Sequence, residues 1–186
     1  MTVSPDLDRR FREAAAAAGL IDVAYDLVDS PLGELLVATT GRGLCRISYQ
    51  GENELERLAQ THGIRVLRAT RPVEPAKRQL DEYFAGRRRA FELELDLVVP
   101  DFHRRVLAEL ARIPFGQTTT YGALAARAER PKAARAVGTV MNRNPIPIVL
   151  PCHRVVGSSG SLVGYGGGLE RKRQLLALEG ALTLQL

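Results

Sequence analysis

The sequence predicts an α/β (α+β) protein of two parts, a small antiparallel sheet with helices followed by a mostly helical part. Two observations predict this class. Apolar and polar residues alternate between residues 23 and 49, and apolar residues recur with helical spacing after residue 100. The 186 residues can bury a core without disulfides. We expect a leader at 1–20, a first domain at 21–99 and a second at 100–186.

The first part starts with an alanine-rich leader, which we expect to form a short helix that Gly19 ends. Strands are predicted at 23–28, 34–40 and 44–49, because apolar and polar residues alternate there. Turns containing glycine or proline separate these segments. The three strands are therefore expected to form an antiparallel meander.

Two helices and one more extended segment are predicted in the rest of the first part. Asn53 and Glu56 have the spacing of a capping box, which predicts a helix after residue 53. Pro75 is expected in the first turn of a second helix, which ends near residue 86. The segment 91–99 has a strand-like pattern. The three arginines at 87–89 are interpreted as a solvated loop, with a DNA contact as the alternative.

The second part is predicted to be mostly helical. Asp101 can cap a helix that runs to about residue 113, with its apolar residues on one face. Helices at 120–128 and 131–142, joined by a tight turn, predict a helix–turn–helix. The remaining predicted segments are an extended, proline-rich run at 144–151 and a final helix at 169–179.

Charge and cysteine content exclude several classes of protein. The 26 Lys and Arg exceed the 21 Asp and Glu, so the net charge is +5 and the pI about 9.6, which suits a polyanionic partner without requiring one. Cys45 and Cys152 are too few for a disulfide framework, and with three histidines they are too scattered for a structural metal cluster. We expect no signal peptide and no membrane span, and hence a cytoplasmic protein with free thiols.

Cys152, His153 and Arg154 form the sharpest local feature of the sequence. A thiol needs a neighbouring base or a lowered pKa to act as a nucleophile at neutral pH, and His153 and Arg154 offer a proton acceptor and a positive field. The alternative is a buried structural cysteine. Glu179 is a candidate to orient the histidine, because a carboxylate is disfavoured in the last turn of a helix and needs a tertiary explanation. Its alternative is a solvated surface position.

The helix predicted at 131–142 carries small residues all round, together with two basic residues at its start. Small side chains let a backbone approach a large, flat partner, as in a recognition helix in a DNA groove. Any tightly packed helix has the same composition, so both interpretations stay open here. We interpret Cys45 as a core thiol, and His62 and His103 as surface residues.

The motif Pro-Cys-His-Arg-Val at 151–155 resembles the alkyl-acceptor motif of the O6-alkylguanine-DNA alkyltransferases. The resemblance is specific over roughly residues 100–180 and weaker over 20–99, and it does not include residues 1–20. Further matching positions are Tyr121, Arg135 to Gly138, Asn144-Pro145, Ser158 to Gly160 and Tyr165 to Leu169.

This resemblance implies a ribonuclease-H-like first domain and a second domain with the helix–turn–helix and the acceptor cysteine. Cys152 would be the acceptor thiolate and His153, through a water, its base. Glu179 would hold the histidine, and Asn144 would act as a hinge. Tyr121 would push on the phosphate of the target nucleotide and help to rotate it out of the duplex.

The resemblance also implies how DNA and the flipped guanine are bound. Arg135 would enter the base stack where the guanine has left it. The hydroxyl of Tyr165 would stabilise the departing guanine at N3. The other implied contacts are Lys132, Ala133, Ala134, Ala136 and Gly138 for DNA, and Val155, Ser158, Pro147 and Met141 for the substrate base.

The implied activity is irreversible repair of O6-alkylguanine, and less efficiently of O4-alkylthymine, by single-turnover transfer of the alkyl group to Cys152. The partner would be double-stranded DNA with an alkylated guanine, contacted from the minor-groove side after base flipping. No cofactor and no metal are expected. We expect a monomer, with clustering on DNA left open. The alternatives are a non-catalytic lesion sensor and a Cys–His hydrolase. A combined transcriptional regulator would need a sensor module that this chain cannot build.

Overall fold

The computed structural model describes residues 4–49 and 53–182. The chain divides into two compact units. The first comprises Met1–Ala85 and Glu92–Val98, and the second Gly86–Phe91 and Val99–Leu186. The domain limits 21–99 and 100–186 stay predictions, because a compact unit need not fold independently.

The first unit contains a four-stranded sheet with helices on it. Its strands lie in the order β3-β2-β1-β4; β1 is antiparallel to β2 and β2 to β3, whereas β4 runs parallel to β1. The elements are α1 (Pro5–Ala17), β1 (Val23–Val28), β2 (Leu35–Thr40), β3 (Gly43–Ser48), α2 (Glu54–His62), β4 (Val66–Arg68) and α3 (Thr70–Phe84). The predicted meander is confirmed, and β4 is an additional strand that the sequence analysis missed.

Both faces of this sheet are covered, which explains why β2 is buried almost throughout. Val23, Leu36, Ala38 and Cys45 form one core cluster with Leu58 of α2, so Cys45 is a core thiol as predicted. The opposite face is covered by α3, which buries an apolar stripe. The alternation of the strands therefore separates two apolar faces rather than an apolar face from a solvated one.

The start of α3 differs from the prediction. The helix begins at Thr70, and Pro75 lies inside it rather than in its first turn. The carboxylate of Glu13 on α1 accepts hydrogen bonds from the backbone N–H groups of Thr70 at 2.9 Å and Arg71 at 3.4 Å. This cap comes from another helix, so the local sequence before α3 could not show it.

Two further predictions for the first unit are wrong. Asn53 precedes α2 in a left-handed conformation with φ 73° and makes no capping bond, so there is no capping box. The segment 91–99 is not a regular strand. It pairs through a single bridge, in which Leu44 donates to the carbonyl of Glu94 and accepts from the N–H of Asp96, both at 2.8 Å.

His62 is also not the surface residue that was predicted. Its side chain is only 6% exposed, and Nδ1 lies 3.5 Å from the carboxylate of Asp96. Asp96 is itself buried and is held by Thr40 and Arg42. The histidine is therefore part of a buried polar cluster.

The second unit is mostly helical, as predicted. Its elements are α4 (Asp101–Ala111), β5 (Thr119–Thr120), α5 (Tyr121–Arg127), α6 (Ala134–Asn142), a 3-10 turn (Cys152–Arg154), β6 (Val155–Val156) and α7 (Leu169–Leu178). Helices α5 and α6 pack together as the predicted helix–turn–helix. In the described ranges 4–49 and 53–182, no helix has both the length and the apolar character needed to cross a membrane.

Three boundaries of the second unit differ from the sequence predictions. Asp101 is the first helical residue of α4, and Pro100 occupies the capping position. Helix α6 begins at Ala134, because Pro131 and Lys132 lie in a turn before it. The run at 144–151 is folded back rather than extended, since the N–H of Leu150 donates to the carbonyl of Ile146 at 2.9 Å.

A short parallel ladder connects the two halves of the second unit. Thr119 pairs with Val155 and Thr120 with Val156. The Thr120 hydroxyl caps α5 by accepting from the N–H of Ala123 at 3.1 Å. Tyr121 therefore starts its helix at the same end of the ladder at which the chain leaves β6.

Candidate active site

The turn before Cys152 is held by the side chain of Asn144. Its amide nitrogen donates to the carbonyl of Leu150 at 2.8 Å, and its amide oxygen accepts from the N–H of Ile146 at 3.1 Å. Ile148 within this turn has φ 77°, a conformation that is costly for a β-branched residue. The two bonds from one side chain hold that strained turn closed and so place Cys152.

Cys152 lies at the start of the 3-10 turn and is 3% exposed. Burial raises the pKa of its thiol to about 11. The Asn144 amide, the positive charge of Lys172 and the backbone N–H groups of Cys152 and His153 all oppose this rise. The resting group is therefore a thiol that needs a base, surrounded by groups that stabilise its anion.

The positive field at the sulfur does not come from Arg154, contrary to the sequence prediction. The Arg154 guanidinium is directed at Glu179, with Nε to Oε2 and Nη2 to Oε1 both at 2.8 Å. The cation that favours the thiolate is Lys172. Arg154 is adjacent to Cys152 in the sequence, but its guanidinium binds Glu179 instead of stabilising the thiolate.

His153 is fully buried, and its Nε2 lies 2.9 Å from Oε1 of Glu179. Burial lowers the pKa of the imidazole, which favours the neutral ring. A neutral ring whose Nε2 faces a carboxylate carries its hydrogen there, so Nε2 donates to Glu179. Nδ1 has no hydrogen-bond partner within the described residues, and its lone pair can accept a proton.

Glu179 follows α7 directly and is held from three directions. Besides His153 and Arg154, the N–H of Gly116 donates to its Oε2 at 3.2 Å. Burial alone would raise the pKa of this carboxyl, but the hydrogen bonds and charges of His153 and Arg154 hold it far below its usual range. The pairing of Glu179 with His153 that the resemblance implied is present, and it explains a carboxylate at a helix C-terminus.

Gly116 is required at its position for two reasons. Its φ is +76°, which disfavours other residues, and a Cβ there would lie 2.8 Å from the backbone oxygen of Glu179. The loop after α4 can therefore approach Glu179 only because this residue has no side chain.

Lys172 is a site residue that the sequence analysis missed. Its side chain is fully buried, and Nζ donates to the carbonyls of Val155 at 2.6 Å, Val163 at 2.8 Å and Gly164 at 3.3 Å. Burial lowers the pKa of this ammonium to about 8. Its signal was the spacing of 172, 175, 176 and 179, which places a lysine and a glutamate on the buried face of α7.

Tyr121 lies beside the same loop as Lys172. Its hydroxyl donates to the carbonyl of Val163 at 3.0 Å, with Gly164 at 3.4 Å. Burial raises the pKa of this hydroxyl, and the charge of Cys152 adds to the rise. The ring lies close to α6, since a Cβ built at Gly138 would lie 4.0 Å from it, an ordinary van der Waals distance.

The predicted catalytic residues thus converge on one place, whereas the predicted binding residues are distributed. Lys132, Arg135, Ala136 and Ser158 are exposed, and Ala133, Ala134, Gly138 and Tyr165 are half-buried. Met141, Pro147 and Val155 are buried. Within the described part of the chain, no group of three or more His, Cys, Asp or Glu side chains is placed to hold a metal ion.

The net positive charge of the chain is concentrated in the unit that carries this site. The second unit contains 15 Lys and Arg against 5 Asp and Glu, whereas the first contains 11 against 16. The net charge of +5 thus combines an acidic unit with a strongly basic one. A polyanion would be attracted to the second unit.

Fold and site together define a class of protein in which a helical unit combines a helix–turn–helix with a buried thiol served by a histidine. Two family profiles match the chain. The DNA-binding domain of 6-O-methylguanine DNA methyltransferase matches residues 101–181, and the ribonuclease-like domain of that protein matches residues 23–97. The chain therefore belongs to the 6-O-methylguanine DNA methyltransferase family, as the resemblance indicated, and is an enzyme of the methyltransferase class.

Curated relatives support the same family. The methylated-DNA--protein-cysteine methyltransferase of Mycolicibacterium paratuberculosis is 45% identical over 158 residues, which cover 84% of this chain and 92% of that protein. The protein of the same name from Methanosarcina barkeri is 40% identical over 83% of this chain and 96% of its own length.

Solved structures confirm the predicted fold class. Mycobacterium tuberculosis OGT in complex with DNA has a TM-score of 0.77 and 41% identity, covering 85% of this chain and 93% of that one. The O6-methylguanine-DNA methyltransferase from Pyrococcus kodakaraensis has a TM-score of 0.58 and 26% identity, covering 85% and 99%.

Proposed function

We propose that this protein repairs alkylated DNA by accepting the alkyl group of O6-alkylguanine, and less readily of O4-alkylthymine, on Cys152. The observation that carries the proposal is the setting of this thiol, which is enclosed, stabilised as an anion by Asn144 and Lys172, and followed by a neutral His153 held by Glu179. In this proposal residues 100–186 perform the transfer and residues 21–99 form the ribonuclease-H-like domain.

The proposed step is an in-line displacement at the alkyl carbon. His153 Nδ1 removes the thiol proton through a water, the sulfur forms a bond to the carbon, and the carbon–O6 bond breaks. The departing base takes up one proton and becomes guanine, so atoms and charge balance. A hydroxyl such as that of Tyr165 would stabilise the base at N3 as it leaves. The thioether that forms has no easy return path, so each molecule acts once.

We propose that the helix–turn–helix of α5 and α6 binds double-stranded DNA from the minor-groove side. Arg135 is exposed near the start of α6 and can occupy the place of the flipped guanine. Tyr121 would press on the phosphate of that nucleotide, for which its hydroxyl must leave the carbonyls of Val163 and Gly164. Neighbouring DNA contacts are assigned to Lys132, Ala133, Ala134, Ala136 and Gly138.

The flipped base would enter a pocket beside the 3-10 turn. We assign its walls to Val155, Ser158, Pro147 and Met141. Three of these residues are buried and Ser158 is exposed, as expected for a pocket with an open rim. The excess of basic residues in the second unit supports DNA as the partner.

The test is an intact-mass measurement after the protein is mixed with duplex DNA that carries one O6-methylguanine. We expect a gain of one methyl group per chain, located on Cys152 by peptide mapping. Cys152→Ala should gain none, and the matched control Cys45→Ala should gain one, because Cys45 lies in the core of the first unit.

Other outcomes would identify a different function. Tight binding to the damaged duplex without any mass gain would indicate a lesion sensor. Repeated turnover of an ester or amide with an unmodified protein would indicate a hydrolase. Either result would overturn the proposal of single-use alkyl transfer.

A further inference from the structure

Glu179 is shared between two basic side chains in a buried setting. Oε1 accepts from His153 Nε2 at 2.9 Å and from Arg154 Nη2 at 2.8 Å, and Oε2 accepts from Arg154 Nε at 2.8 Å. All three side chains are 7% exposed or less. A buried carboxylate whose only partner is an imidazole draws a proton onto the ring, because an ion pair is favoured over a lone anion.

We propose that Arg154 is a positioning residue that compensates the charge of Glu179, so that His153 stays uncharged, keeps its hydrogen on Nε2 and leaves Nδ1 available as the base for Cys152. A guanidinium suits this task because it remains protonated and binds a carboxylate with two parallel bonds. The inference rests on the proposed function, since it assigns a role within the same alkyl transfer.

The other charged groups around His153 are consistent with this assignment. These groups are Glu179 and Arg154, which bond to each other, and Lys172 on α7. Burial contributes most to lowering the pKa of His153, Glu179 acts to raise it, and the charges of Arg154 and Lys172 lower it. Removing Arg154 would therefore remove one of the two positive charges that oppose the effect of Glu179 on the pKa of His153.

Arg154 is also fixed independently of Glu179. Its Nη1 donates to the backbone carbonyl of Ile113, and its guanidinium lies 6.0 Å from the centre of the Phe115 ring. Arg89 lies 5.6 Å from the centre of the same ring. The 3-10 turn matters as well, because in an extended segment adjacent side chains would point to opposite sides and could not share one carboxylate.

The test is ¹⁵N NMR of the His153 ring in the full-length wild type, Arg154→Gln and Arg154→Lys. In the wild type we expect a neutral ring with its hydrogen on Nε2 at pH 7. In Arg154→Gln we expect an imidazolium at the same pH, and Arg154→Lys, which keeps a positive charge, should restore the neutral ring. A purely structural role for Arg154 would change the melting temperature without changing the protonation of His153.

The second readout is the pH profile of benzyl transfer from free O6-benzylguanine to Cys152. The base acts only when neutral, so raising the pKa of His153 moves the acid limb of the profile to higher pH. For Arg154→Gln we expect a move of about 1 to 3 pH units. The double variant with Arg154→Gln and Glu179→Gln removes both charges and should return the limb to low pH, although the rate stays reduced.

The proposal is overturned if wild-type His153 is an imidazolium at pH 7 or carries its hydrogen on Nδ1, a result that does not depend on any variant folding. It is equally overturned if Arg154→Gln folds and changes neither the protonation of the His153 ring nor the pH profile of benzyl transfer. Failure of the proposed function looks different, because wild-type Cys152 would then take up no benzyl group whatever the state of the ring.

Discussion

Cys45 in the first unit and Cys152 in the second are both buried and unpaired, yet their surroundings differ. Burial, together with the nearby charge of Asp96, raises the pKa of Cys45 to about 12. Its Sγ lies 3.3 Å from the carbonyl of Ala38, to which the thiol donates. Everything around this sulfur except Arg46 and its own backbone favours the neutral thiol.

Burial raises the pKa of Cys152 as well, but three kinds of group stabilise its anion, namely an amide, backbone N–H groups and an ammonium. It is also followed by a neutral imidazole. Burial alone therefore does not decide whether a thiol in this chain is reactive. The hydrogen-bond donors and the positive charge around the sulfur decide it.

The largest effect on the reactivity of Cys152 is expected from Lys172→Met, which removes the ammonium and keeps the volume of the side chain. The Val155 carbonyl loses its buried donor, which should lower the free energy of unfolding by roughly 1–3 kcal/mol. The pKa of Cys152 should rise above its value of about 11, and transfer from free O6-benzylguanine should slow by about tenfold or more.

The matched control is Lys77→Met in the first unit. The urea midpoint of this variant and its rate of benzyl transfer should stay near those of the wild type. Iodoacetamide labelling of the folded protein gives a second measurement. We expect Lys172→Met to slow the labelling of Cys152 relative to the wild type. An unchanged rate of labelling and of transfer would show that Lys172 is only a structural tie.

The sequence predicted the elements that local patterns determine and missed those that distant residues determine. Strands β1 to β3 and helices α4, α5 and α7 follow from periodicity and turn residues. Strand β4 has three half-exposed or exposed residues and no alternation, and it forms because β1 offers an edge. The start of α3 depends on Glu13, 57 positions before Thr70.

The candidate site shows the same division. Cys152 and His153 were identifiable from one motif, and Glu179 from its misfit with the helix dipole. The direction of Arg154 was not predictable, because it depends on the 3-10 turn. Lys172 was predictable in principle from its position on the buried face of α7, but a lysine is rarely assigned to a core without a known partner. Its partners are backbone carbonyls, which no sequence pattern shows.

A smaller effect on the reactivity of Cys152 is expected from Gly116→Ala, although its effect on stability is the larger. This variant tests how closely the loop after α4 must approach Glu179. The added methyl group would meet the Glu179 backbone oxygen at 2.8 Å in a left-handed conformation, so we expect a loss of about 2–4 kcal/mol in the free energy of unfolding. Transfer should slow as well, because Glu179 and His153 would shift together. Urea unfolding and the benzyl-transfer rate measure the two effects.

Gly86→Ala is the control for backbone conformation alone. Gly86 also has a positive φ, of +71°, but a Cβ there would meet nothing within 4 Å. It should therefore cost only about 1–2 kcal/mol and leave the transfer rate unchanged. If Gly116→Ala and Gly86→Ala changed the benzyl-transfer rate equally, the close approach of Gly116 to Glu179 would not be important for transfer.

The smallest effect on the thiol itself is expected from Arg135→Ala, because Arg135 is exposed on α6 and does not contact Cys152 in the proposed scheme. Transfer from duplex DNA with O6-methylguanine should slow by roughly tenfold, or about 1.4 kcal/mol, since the gap left by the flipped base is no longer filled. Transfer from free O6-benzylguanine should stay within about twofold of the wild type, because no base has to be flipped. The control Arg112→Ala removes an exposed arginine that pairs with Glu109, and it should leave both rates unchanged. An equal loss on duplex DNA and on the free base would contradict the assignment of Arg135 and would place its effect on the thiol site instead.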